Sequence, residues 1–310
     1  MKIFEEAAIR RALDPGAAVR AIREAFRADG LKKTTVPAVI NLSIPGAHGE
    51  FHVKSAYVEG VPYVAVKVAS GFYDNTARGL PTGSGLMILF DATTGVPAAL
   101  LLDQGYLTDL RTGAAGAIAA EVLAPAAIGT VGVIGSGVQA RHQVACLREV
   151  RQFGRLLAWS PNAERAASYC AEMRERWGVD GQVADRPETV VRAADLLVTA
   201  TPAHVPIVEA AWLRPGIHVT AVGADSPGKQ ELESNCLDRA DRLVVDRLGQ
   251  CRAFGELAHA PDAPVHAELG EIVAGLKPGR TSDAQITIAD LTGVGFQDTV
   301  IASAAFAALH

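Results

Sequence analysis

The run Val131-Gly132-Val133-Ile134 breaks at Gly135 into Gly135-Ser136-Gly137-Val138-Gln139-Ala140, a Gly-x-Gly-x-x-Ala turn. Nothing else in the chain restricts its fold as strongly. Read as a strand, a tight turn and a helix start, the segment forms a phosphate cradle. Gly135 allows the sharp turn, and Gly137 lets the backbone approach a pyrophosphate. Ala140 is small enough for close helix–strand packing, while the helix N-terminus turns its free N–H groups toward the anion. A chain with 30 glycines can produce this pattern by chance, so the context decides. Further apolar runs follow at 156–159, 196–199, 219–222 and 243–245, separated by helix-like segments. That alternation predicts a parallel, doubly wound sheet that binds a nucleotide at its first turn.

At 310 residues the chain has room for two domains, each with its own core. A net charge of -5 offers no basic surface for nucleic acid. The apolar runs stop well short of bilayer-spanning length, and Met1-Lys2-Ile3-Phe4-Glu5-Glu6 has no signal-peptide core, so no membrane partner is expected. Cys146, Cys170, Cys236 and Cys251 are scattered and form no C-x-x-C pair; free thiols in a reducing cytoplasm are the expectation. The histidines form no H-E-x-x-H or His/Cys cluster, and no metal site is expected.

The stretch before the glycine turn has a different texture. Asp14-Pro15-Gly16 reads as a turn, and 17–29 as an amphipathic helix. Short β-rich runs follow at 39–44, 51–57, 63–69, 86–90 and 98–102, divided by Gly46-Ala47-His48-Gly49, Asp74-Asn75 and Thr94-Gly95. They predict an antiparallel or mixed sheet in a module of its own. An alanine-rich helix over 108–123 leads into the nucleotide domain. Beyond Asp246 the pattern loosens: 286–289 reads as one more strand and 298–309 as an apolar terminal helix. Such a helix is too apolar to stand alone in water, so it should pack back on the first domain. The expected class is α/β: a doubly wound parallel sheet over 121–290, with a discontinuous α+β domain made of 1–120 and 291–310.

Four polar places stand out. Lys67 interrupts an apolar strand; it is either a surface lysine on an edge strand or an inward one needing an anion. Arg111 stands near a helix start, either at the surface or with its guanidinium fork on a carboxylate. In Val222-Gly223-Ala224-Asp225-Ser226-Pro227-Gly228-Lys229, an apolar strand ends in glycine and presents Asp225 beyond it. Ligands bind at that end of strands in an open α/β sheet, although Asp225 could also be a simple turn former. In Gly293-Val294-Gly295-Phe296-Gln297-Asp298, two glycines precede a helix, through capping or a close backbone approach.

Together these segments resemble the ornithine cyclodeaminase/mu-crystallin family over nearly the whole chain. The likeness is carried by Lys67 in its strand, Asn75-Thr76-Ala77-Arg78-Gly79-Leu80-Pro81-Thr82 and Phe90-Asp91-Ala92-Thr93-Thr94-Gly95. It continues through Leu107-Thr108, Arg111-Thr112, the Gly135 turn with Gln139, residues 221–232 and Gly293–Asp298. The resemblance implies a homodimer whose first domain supplies substrate site and subunit interface, with a Rossmann-type domain for a nicotinamide cofactor. It implies that Lys67 and Arg111 bind the substrate carboxylate and that Asp225 is the acid/base, with Lys67 counted beside it as catalytic. Thr82, Thr112, Gly137, Val138, Gln139, Val222, Ala224 and Lys229 fall where family members touch the dinucleotide. Arg111, Gly135, Ser160 and Gly293 complete the expected cofactor set.

The family contains imino-acid reductases, amino-acid dehydrogenases, cyclodeaminases that recycle their NAD, and mu-crystallin, which binds NADPH and a hormone. Departures from the cyclodeaminase pattern guide the choice. Where ornithine cyclodeaminase has an early arginine, Thr34-Thr35-Val36-Pro37-Ala38-Val39 has none. Where it has an acid for the distal amine, Phe51-His52-Val53-Lys54-Ser55 offers cations, and Lys54 suits a second anionic group better. The run Phe51–Lys54, with Gly255-Glu256 and Gly293–Asp298, looks closer to the iminosuccinate-reductase-like and ectoine-utilisation branches. The expected activity is therefore NAD(P)-dependent imino-acid reduction or amino-acid dehydrogenation, with cyclodeaminase as the alternative and a ligand-binding crystallin-like protein as the third reading. At the second nucleotide-domain strand, Trp159-Ser160-Pro161-Asn162 carries no carboxylate to repel a 2′-phosphate, so NADPH should be accepted.

Overall fold

The computed structural model describes residues 1–309. Two compact units are present: residues 1–111 with the chain from Val294 onward, and residues 112–293. In the first, β1 (Lys2–Glu5), α1 (Glu6–Ala12) and α2 (Pro15–Gly30) precede β2 (Thr34–Thr35), β3 (Ile40–Ile44), β4 (Gly49–Val58), β5 (Tyr63–Phe72), β6 (Gly83–Asp91) and β7 (Pro97–Leu102). The strands lie in the order β1-β7-β6-β5-β4-β2, with β3 also on β4. Only β1 with β7 is parallel, so the sheet is mixed. The start of α2 is set locally: Asp14 accepts the Ala17 N–H at 2.7 Å, and Pro15 occupies the first turn.

The terminal helix, Gly295–Ala308, packs on α2, β4 and β5. Thr299 stitches it to the sheet, donating to the Ala56 carbonyl at 2.7 Å and accepting the Ala65 N–H at 3.2 Å. Phe296 meets Phe26 of α2 edge-on at 5.3 Å. A Cβ on Gly295 would lie 2.3 Å from the Ser55 carbonyl, so the helix can begin this close to β4 only with glycine there. A largely apolar surface is what a helix enclosed by a sheet and a second helix requires, and its buried Gln297, Asp298 and Thr299 must find partners inside. The same buried sheet face carries Ala56 and Ala65, and two residues along, Lys54 and Lys67.

In the second unit, α3 (Tyr106–Leu123), which begins in the first, leads to β8 (Thr130–Ile134), α4 (Val138–Leu147), β9 (Arg155–Trp159), α5 (Ala163–Trp177), β10 (Asp180–Val183), α6 (Pro187–Ala193), β11 (Leu196–Thr199) and β12 (His218–Ala221). Then come β13 (Arg242–Val245), β14 (Val265–Glu268) and β15 (Thr287–Asp290). All pair in parallel in the order β10-β9-β8-β11-β12-β15-β13-β14. The order reverses between β8 and β11, which opens a crevice beyond their carboxyl ends. Covered on both faces, β8, β11 and β12 are buried along their whole length; β8 and β11 are mostly apolar, whereas in β12 the buried His218 is satisfied by the hydroxyls of Thr287 and Thr220. The chain is thus α/β, a Rossmann-type sheet plus a discontinuous α+β unit. No helix among the described residues is long and apolar enough to cross a membrane.

Candidate active site

Lys67 lies on β5, between β4 and β6, which excludes the edge-strand surface reading. It is 1% exposed, and Lys54, directly opposite on β4, is 6% exposed. Like charges facing each other across a sheet repel, and burial adds a desolvation cost. The main compensation comes from Asp298, fully buried in the first turns of the terminal helix. Its Oδ2 is 3.1 Å from Lys67 Nζ and its Oδ1 is 3.2 Å from Arg111 Nε. Arg111 also donates through Nη1 to Gln297 Oε1 at 3.0 Å. Burial pushes Lys67 down to about 7; Asp298 opposes this, whereas Arg111 and Lys54 add to it. Burial also raises Asp103 and Asp109 to about 6.

This cluster leaves an amide donor over. Gln297 Nε2 is buried and has no acceptor among the described residues. Turning the amide over would set its NH2 against the Arg111 guanidinium, so the orientation is fixed by that neighbour. A buried donor left beside two cations is where a ligand oxygen fits. On sequence alone Asp298 reads only as part of a helix start, and Gln297 carries no role. The available signal was an amide and an acid in an otherwise apolar helix, which must find partners on burial.

In the second unit, Gly135 has φ +111°, and a Cβ there would lie 2.5 Å from the Ala200 carbonyl just past β11. Gly137 caps α4 with open space around its Cα. Arg141 braces the loop by donating to the carbonyls of Ser136 and Gly137 at 2.8 and 3.0 Å. Ala140 is buried beneath, and Gln143 links the Gln139 side chain to the Thr112 carbonyl. Open backbone at the N-terminus of α4 fits a dinucleotide phosphate. At the tip of β9, the Ser160 hydroxyl donates to the Asn162 carbonyl at 2.7 Å, and Asn162 Oδ1 accepts the Arg165 N–H to cap α5.

Beyond β12, Val222 and Ala224 are buried and Asp225 is partly exposed. Asp225 Oδ1 accepts from the buried Lys229 Nζ at 2.8 Å. Gly293, past β15, has φ +75°, donates its N–H to Asp246 at 2.6 Å and accepts from Gln250 at 2.9 Å. Its backbone polar groups shape the loop. Thr82 is exposed just before β6, its carbonyl taking the Phe72 N–H at 2.7 Å. Lys54, Lys67 and Arg111 are therefore brought together in the first unit. The Gly135–Gln139 turn, Ser160, the Val222–Lys229 turn and Gly293 occupy the carboxyl edge of the parallel sheet in the second.

The pattern defining the ornithine cyclodeaminase/mu-crystallin family matches residues 1–308. An uncharacterized cyclodeaminase of Sinorhizobium fredii is 42% identical over 314 residues, 99% of this chain and 95% of that protein. Among solved structures, an archaeal alanine dehydrogenase dimer with bound NAD matches with TM-score 0.92 at 36% identity, over 99% of this chain and 95% of that one. The Thermococcus litoralis Δ1-pyrroline-2-carboxylate reductase in complex with NADH and L-proline matches with TM-score 0.94 at 29% identity, over 99% and 97% of the two chains.

Proposed function

Because the chain belongs to the ornithine cyclodeaminase/mu-crystallin family, we propose that it is an NAD(P)-dependent oxidoreductase working on the C–N bond of a small α-amino or α-imino acid. The observation that carries this reading is the buried set Lys67, Arg111 and Asp298 with the spare donor of Gln297. Lys67 and Arg111 clamp the α-carboxylate, Gln297 Nε2 donates to one of its oxygens, and the prochiral carbon is thereby oriented. Asp225 gives a proton to the imine nitrogen in reduction and takes it back in the reverse direction. The Gly135–Gln139 cradle holds the pyrophosphate, with Thr82, Thr112, Ser160, Val222, Ala224, Lys229 and Gly293 as the further cofactor contacts. When bound, the reduced nicotinamide supplies the hydride.

The deciding assay is cofactor stoichiometry. Presented with α-keto acids plus ammonium and with cyclic imines, the protein is expected to oxidise one NADH or NADPH per imine converted. L-Ornithine is expected to yield little proline or ammonia, because Lys54 would repel its distal ammonium. Repeated turnover of ornithine on substoichiometric NAD would transfer the chain to the cyclodeaminase reading. Both cofactors belong in the assay, since the β9 tip offers no carboxylate against a 2′-phosphate; NADH bound far more tightly than NADPH in calorimetry would overturn that part.

Lys54 carries the substrate class. Its burial opposite Lys67 supports a role in binding a second carboxylate on the substrate. Lys54→Met keeps the length and removes the charge. It should cut kcat/KM for a dicarboxylic imine about tenfold more than for a monocarboxylic one, the scale of a lost charged hydrogen bond. Equal losses on both would remove Lys54 from the substrate contacts. The same reading takes the chain as a homodimer, with exposed Ile40 and Leu42 on β3 in the contact; sedimentation at the mass of a single chain would exclude it.

A further inference from the structure

Glu231 follows the Asp225 turn, is 0% exposed, and has no part in the chemistry above. Its carboxylate accepts four hydrogen bonds, two at each oxygen. Oε1 takes the backbone N–H of Thr201 at 2.7 Å and the Thr201 hydroxyl at 2.8 Å. Oε2 takes the backbone N–H of Gly223 at 2.8 Å and the Thr199 hydroxyl at 2.7 Å. Burial raises its pKa, and these donors oppose the rise. Thr199 ends β11 and Thr201 lies just beyond it, while Gly223 follows β12, so one buried anion ties two neighbouring strand ends together.

Both flanks of this tie are functional. On one side, Ala200 and Thr201 pack so tightly on the cradle that a Cβ on Gly135 would lie 2.5 Å from the Ala200 carbonyl. On the other, a Cβ on Gly223 would lie 2.2 Å from the Thr201 carbonyl and 2.4 Å from Glu231 Cδ. The Asp225 N–H bonds back to the Gly223 carbonyl at 3.1 Å, so Asp225 inherits the placement of Gly223. Glu231 is itself anchored, because Glu256 accepts the N–H groups of Glu231 and Leu232 at 2.8 and 3.1 Å.

We propose that Glu231 is a positioning residue: it fixes the turn bearing Asp225 against the glycine cradle, and so sets where the acid/base stands relative to the bound cofactor. This rests on the reading of Asp225 as the acid/base. The substitution that tests it is Glu231→Gln, which keeps size and shape. A hydroxyl can reverse its role, but each Glu231 oxygen also takes one backbone N–H, which cannot. Whichever way the amide sits, its NH2 meets the N–H of Thr201 or of Gly223, and that bond is lost.

Turnover would be followed with oxaloacetate or pyruvate plus ammonium and with Δ1-pyrroline-2-carboxylate, and NADH binding by fluorescence titration. Glu231→Gln should lower kcat about thirtyfold or more while NADH affinity stays within about threefold. If Glu231 acts through Asp225, adding Glu231→Gln to Asp225→Asn should deepen the loss by less than about threefold, whereas a merely structural role would multiply the two effects. Hydrogen–deuterium exchange reads the tie without turnover: residues 222–229 should exchange at least about tenfold faster in Glu231→Gln. Parental turnover in Glu231→Gln beside an inactive Asp225→Asn overturns the proposal, as does unchanged exchange over 222–229. Parental turnover in Asp225→Asn would instead defeat the acid/base reading, and exchange would still judge the tie. Should Glu231→Gln fail to fold, Thr199→Val removes one donor on the Gly223 side; it should lower kcat about fivefold with NADH affinity kept, and unchanged kcat overturns the proposal.

Discussion

Asp225→Asn is expected to lower turnover at least about a hundredfold while leaving dinucleotide binding intact, the usual scale for a positioned acid/base. The variant is informative because so little else changes. Asparagine keeps the shape of the side chain, and its Oδ1 can still accept from Lys229 Nζ, the bond that holds Asp225 at 2.8 Å. The Gly223 turn and its tie to Glu231 involve backbone and a different carboxylate, so they persist. What is removed is the ability to give and take a proton, together with the negative charge that pairs with Lys229. Steady-state imine reduction beside a calorimetric NADH titration checks both halves, and near-normal turnover in a folded variant would show the assignment to be wrong.

Asp298→Asn is expected to destabilise the protein by about 3–5 kcal/mol, the range found when one partner of a buried ion pair is removed. The carboxylate stands between Lys67 and Arg111, with Lys54 opposite Lys67, and the amide would leave these buried cations without it. The effect should depend on pH. Lys67 has a folded value of about 7 against 10.5 for an ordinary lysine, so between those values the unfolded chain holds a proton that the folded chain has released. The contribution of Lys67 to stability therefore rises with pH across that window, and below it the full cost of the buried charge is present. The loss in Asp298→Asn should be largest while Lys67 is charged and should shrink as it discharges. Urea unfolding at several pH values checks this; an unchanged midpoint at neutral pH would mean that Asp298 does not compensate the lysine.

The parallel sheet and its glycine cradle were legible because their causes are local. Strands buried on both faces, such as β8 and β11, are mostly apolar, and a turn at φ +111° beside the Ala200 carbonyl requires glycine. The first β module was legible for a similar reason, through alternating runs separated by turn residues. The short strands escaped. β10, Asp-Gly-Gln-Val, and β14, Val-His-Ala-Glu, have too little apolar content to announce themselves, and β1 is mostly exposed. They form because a neighbouring strand offers a ladder, which no local pattern records.

At the candidate site the division is sharper. Local pattern was enough for the fold class, for the place of the glycine turn after β8, and for the choice that Lys67 stands either at an edge or facing an anion. The choice between those two is made by strand pairing, because register across three strands turns Lys67 inward and sets Lys54 opposite it. Tertiary packing also supplied the answering carboxylate from the far end of the chain, Asp298, whose helix looked merely apolar. Glu231 shows the same limit. Within Gln230-Glu231-Leu232-Glu233-Ser234 it reads as one acid of a polar loop, and nothing local distinguishes it from a solvated side chain. What makes it a buried anion is a pair of backbone N–H groups and two hydroxyls delivered by the ends of β11 and β12. A charge is buried or solvated according to the donors that surround it, and those are assembled only when distant strand ends meet.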